Sequence, residues 1–151
     1  MEIYDNSMTD DNVTLELFGP DGTLKETRTV HNLVTTLGKY CAAAQILAVP
    51  VIVAPGWMEV GEGNGIGVGG TKLADFIAGS RTALTSKLRA NNVITMVCTF
   101  IAGTGTGAIT ECGVFNTAVE DTTDLILYAE FLVIHKGVLD TLTVTWTWTF
   151  A

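Results

Sequence analysis

Positive charge is scarce in this chain. Eight lysines and arginines stand against sixteen acidic residues over 151 positions, a formal net charge of -8. Nucleic acid is held by clustered cations that displace counterions from its phosphates; no such cluster exists, so neither DNA nor RNA is an expected partner. Long apolar runs are lacking too. None approaches the roughly 20 residues of a membrane-spanning helix, and the first stretch, "MEIYDNSMTDDN", is acidic where a signal peptide is basic. No membrane partner and no export through such a signal are expected. Cysteine is limited to Cys41, Cys98 and Cys112, an odd number at spacings that match no zinc or redox motif. Their apolar neighbours make them buried free thiols. His31 and His135 stand in no recognisable nucleophile context.

Charged residues of both signs make up only 16% of the chain and apolar ones 48%, fewer charges than the surface of an ordinary soluble monomer carries. Two readings remain open: cover by sister subunits or partners, or an uncharged surface of threonine and glycine. A chain of this length buries about 70% of its unfolded surface in one core, so a single domain is expected over residues 13–151. Residues 1–12 read as a flexible acidic arm, with Glu2, Asp5, Asp10 and Asp11 and little to bury.

Period-two patterning dominates the chain from Val13 onward. In "LDTLTVTWTWTFA" the residues Leu142, Val144, Trp146, Trp148 and Phe150 alternate with threonines, which predicts a strand whose apolar face lies in the core. "VTLELFGPDGTLKETRTV" predicts a hairpin turned at "GPDG". "HNLVTTLGKYCAAAQILAV" spaces its apolar residues helically, predicting one helix over about 32–48 with Asn32 as N-cap. "WMEV", "NNVITMVCTFIA", "GAITECGVFNTA" and "DLILYAEFLVIHK" predict further strands, and the turns "GTGTG", "VEDTTD" and "KGVLD" suggest that successive strands pair antiparallel. Residues 71–90 remain open between helix and loop. Seven or eight strands with one helix indicate a mainly β chain, an antiparallel β-sandwich or jelly-roll-like domain.

Candidate chemistry is thin. Gly65, Gly67 and Gly70 satisfy G-x-G-x-x-G after a strand, but no acidic residue follows at the distance dinucleotide binding needs, and the phosphate-loop lysine is misplaced. A structural loop is the better reading. Glu111 lies inside the apolar run "AITECGVF", where a carboxylate is costly unless paired. No second carboxylate or histidine makes it half of an acid–base pair, so it is expected to accept hydrogen bonds from Arg81, Arg89 or a loop backbone and lock the glycine-rich loop to the sheet. The two arginines are alternatively intersubunit partners or solvated, and Glu130 is a candidate interface residue. No catalytic residue, cofactor or metal site is expected.

The order of the pieces "KETRTVHNLVTTLGK", "MEVGEGN", "SRTALTSKL", "GAITECGVF" and "DTLTVTWTWTF" resembles small structural proteins of tailed-bacteriophage virions, over roughly residues 13–150. Among their roles it looks most like a capsid decoration, or cement, protein. The resemblance implies a homo-oligomer, often a trimer, on the outer capsid surface and in the host cytoplasm during assembly, with the major capsid protein as partner. It also implies an amino-terminal arm, here Glu2, Ile3, Tyr4, Asp5, Asp10 and Asp11, that contacts the capsid. A tail, neck or baseplate fibre component is the alternative. A carbohydrate-binding module, with Trp57, Trp146 or Trp148 as a stacking platform, is a third.

Overall fold

The computed structural model describes residues 12–150; the expected contact residues of the arm lie outside them. Ten strands and one helix occur in the order β1 (Asn12–Phe18), β2 (Leu24–His31), β3 (Leu33–Val34), α1 (Thr36–Ala44), β4 (Trp57–Gly61), β5 (Thr82–Ala83), β6 (Ser86–Ala90), β7 (Val93–Phe100), β8 (Gly107–Phe115), β9 (Leu125–Lys136) and β10 (Thr141–Thr149). They form two five-stranded sheets, ordered β2-β1-β10-β7-β6 and β3-β9-β8-β4-β5, antiparallel at every pairing. The chain is an antiparallel β-sandwich.

β10 runs between β1 and β7 and buries one face. Leu142, Val144 and Trp146 are fully enclosed and Trp148 nearly so, while Phe150 is only half-buried at the strand's end. They meet Met58, Val60, Cys112 and Val114 of the second sheet in one continuous core. The β1–β2 hairpin turns where expected, with Gly22 at φ 82° and the Asp21 carboxylate accepting from Thr23. Asn12, assigned to the arm, is instead the first residue of β1 and pairs with His31.

Two expectations need correction. The helix is shorter than residues 32–48. Leu33 and Val34 pair with Tyr128 and Leu127 as β3, and the N-cap is Thr35, whose hydroxyl accepts from the Gly38 amide and donates to the Leu125 carbonyl. At the other end Gln45 caps the helix and ties itself to the Cys41 and Ile52 carbonyls, leaving Ile46 and Leu47 exposed. Succession is also not adjacency throughout. The "GTGTG" and "KGVLD" segments carry the chain from one sheet to the other, and only "VEDTTD" joins two neighbours, β8 and β9. Residues 71–90 contain no helix; they hold turns, β5 and β6.

The second sheet is covered on its other face as well. The segment between β4 and β5 lies over it, and Leu73 with Phe115, Leu125 and Tyr128 forms a second small core, flanked by Trp57, Ile66 and Phe76. Burial on both faces explains why the first half of β9 is continuously apolar rather than alternating.

Candidate interaction surface

Glu111, buried beneath that covering segment, holds it in place. Glu111 Oε1 accepts from the Gly63 amide at 3.2 Å and the Asp75 amide at 2.8 Å; Oε2 accepts from Ala74 at 3.1 Å and from the Tyr128 hydroxyl at 2.8 Å. Burial, and then the bond to Glu111, push the Tyr128 phenol well up, so it stays protonated and donates. A Cβ on Gly61 would stand 2.5 Å from Glu111 Oε1 and 2.6 Å from the Asp75 carbonyl, so glycine is needed there for close approach. Further along, the Gly65 amide donates to Glu130 at 2.7 Å.

Neither arginine serves Glu111. Arg81 is enclosed elsewhere on the same face: its Nε donates to Glu59 at 3.0 Å, its Nη1 donates to the Thr117 carbonyl at 2.8 Å, and its guanidinium lies 3.6 Å from the centroid of the Phe115 ring. Glu120 accepts from its backbone amide. Glu59, which no sequence motif marks, is held above the usual carboxylate range by burial, with the Arg81 bond acting against that rise. Arg89 is exposed on β6 and donates to the Asn91 carbonyl. Among the described residues no group of three or more histidine, cysteine or acidic side chains is placed to hold a metal. Trp146 and Trp148 are buried, so two of the three indoles named for a sugar platform are not presented to solvent.

What remains on the outside is unusual in charge. Sheet register sorts the outer face of the first sheet into rows such as Thr29–Thr14–Thr145–Val97 and Thr27–Glu16–Thr143–Thr99. Among the register-paired residues of that face, Glu16 alone carries a formal charge. Exposed apolar side chains cluster in the loops, with Ile46, Val49, Val51 and Val53 after α1, and Ile101, Val138 and Leu139 in two segments that meet through the Gly103–Val138 hydrogen bond; others, Leu24, Leu88, Leu132 and Val133, stand on strands β2, β6 and β9.

These features define a class, a two-sheet antiparallel β-sandwich that carries a neutral face and apolar loops. Comparison with protein families, curated proteins and solved structures found no match to the chain.

Proposed function

We propose that the protein is a virion structural component that decorates and stabilises a bacteriophage capsid, bound to the outer shell as an oligomer with a trimer favoured. The observation that carries the reading is the outer face of the first sheet, five strands wide with Glu16 as its one formal charge among paired residues. A face of threonine and valine can be laid against another protein without desolvating ions, which is where association is costly. The apolar loops supply the contacts that large contiguous interfaces need. Binding only the assembled shell would stabilise it by mass action.

Cosedimentation with undecorated expanded capsids, scored for copy number and for survival on heating, tests it. Saturation at the capsomer repeat with improved survival supports decoration. A few copies per particle and no shell binding would replace it with the tail or neck reading.

A further inference from the structure

At one end of the sandwich a cleft of about 480 Å³ opens between the first sheet and α1. Ile94 on β7, Trp148 on β10 and Phe150 just beyond it form one wall; Cys41 and Ala42 on the helix and Ile46 after it form the other. The volume falls in the range of small-molecule sites, about 300–1,000 Å³. Both walls are apolar. Gln45 also lines the cleft, but its side-chain NH2 is engaged by the Cys41 and Ile52 carbonyls. No acidic side chain is on the lining among the described residues.

Charge enters from β6, whose patterning is inverted. Lys87 pairs with Met96 and Arg89 with Ile94, and residues paired across an antiparallel ladder share a face. Met96 pairs in turn with Trp146, and Ile94 with Trp148, both buried. Two cations therefore occupy the core face of an edge strand and line the cleft, while Leu88 between them is turned outward and 69% exposed. Neither cation has a counterion. Lys25, Arg28, Lys72 and Arg81 each reach a carboxylate; among the described residues Lys87 and Arg89 reach none, and donate instead to the Pro55 and Asn91 carbonyls. An ammonium carries three donors and a guanidinium five, so both exposed side chains keep N–H groups to offer an anion.

We infer that the cleft binds a free fatty acid, its hydrocarbon chain lying between the Trp148 and Ile46 walls and its carboxylate meeting Lys87 and Arg89. Apolar walls select the chain, and two cations without counterions select the head. This goes beyond capsid attachment and does not depend on it.

Titration of the full, isotopically labelled chain with hexanoate, octanoate and decanoate tests the inference. The expected result is saturable, one-to-one shifting of the amides of Ala42–Ile46 and Lys87–Arg89, with affinity rising about fourfold for each added CH2, as full burial of a methylene gives. Octanol should bind about tenfold more weakly than octanoate, the worth of one charge-assisted hydrogen bond, and octyltrimethylammonium more weakly still. Lys87→Met/Arg89→Met, which alters exposed side chains only, should bring octanoate down to the affinity of octanol. Ile46→Glu, at a site 87% exposed, should weaken octanoate by setting a like charge in the wall. No shift at those amides, or an equal response to carboxylate and ammonium, overturns the inference and leaves the two cations as charges that keep an edge strand from pairing with other chains. Binding to phosphatidylglycerol vesicles without saturable binding of the monomeric acids also overturns it, making the cleft a bilayer contact. Capsid cosedimentation reads independently of every outcome.

Discussion

Arg81 Nε donates to Glu59 Oε2 across 3.0 Å, with the arginine side chain 1% and the carboxylate 2% exposed. Removing one partner of so enclosed a pair leaves an uncompensated buried charge, so Arg81→Met should destabilise the fold by about 3–5 kcal/mol at neutral pH in denaturant titrations. The loss should depend on pH in a definite sense. Glu59 is held above its ordinary range by burial, so the folded chain binds that proton more tightly than the unfolded one and stability declines as pH rises between the two pKa values. Removing Arg81 takes away an interaction that opposes the rise. The deficit should therefore shrink as pH falls from neutral toward the acidic range, and a deficit that grew instead would show that Glu59 is not the group left unpaired.

Glu111→Gln keeps the shape of the side chain but puts an amide NH2 where a carboxylate oxygen accepts. With three backbone amides and the Tyr128 hydroxyl converging on the two oxygens, at least one donor must face another. The cost should be about 2–3 kcal/mol, from weakened charge-assisted bonds and an unmet donor. Hydrogen exchange should locate the loss at the amides of Gly63, Ala74 and Asp75, with the β1–β10–β7 ladder unaffected until global unfolding.

Gly38→Ala sets two effects of opposite sign against each other. In an exposed helix the change is worth about 1 kcal/mol of stability. Here a Cβ would collide with the backbone carbonyl of Ile126 and stand 3.1 Å from a Val34 methyl, and a backbone atom on β9 cannot swing away as a side chain can. The steric term should win, lowering the melting temperature, whereas Ala43→Gly at an exposed site of the same helix should cost only its propensity.

All three thiols should be silent toward a disulfide reagent in the native protein and react fully in denaturant. Burial pushes Cys98 up to about 12 and raises Cys112 and Cys41 as well, and all three are free and buried. At about pH 8 the reactive thiolate is then scarce and enclosed. Fast labelling of a single native thiol would show that an opening such as the cleft beside Cys41 is visited often.

Local patterning made the sandwich legible because its signals are local. Alternation at Leu142–Phe150 and the "GPDG" turn need no tertiary partner to be read. The helix ends were not legible: Thr35 caps through Leu125 and Gly38, and Leu33–Val34 become strand only because Tyr128 and Leu127 are there to pair. The lock at Glu111 was readable as a buried carboxylate in need of donors. Its donors were open between loop backbone and arginine, since Arg81 finds Glu59 only once β4 and the turn before β5 are brought together. The neutral outer face and the cleft depend on strand order, which places β10 beside β1 across more than a hundred residues of chain.

That strand order also governs how the molecule can come into being. During synthesis the β1–β2 and β6–β7 hairpins leave the ribosome long before the strand that must lie between them. Until β10 emerges, the first sheet is two separate ribbons with unpaired inner edges, and the core lacks Leu142, Val144, Trp146 and Trp148. A nascent chain held short of Thr141 therefore presents two open strand edges to chaperones or to other chains, and the domain closes after translation of its last strand rather than during it.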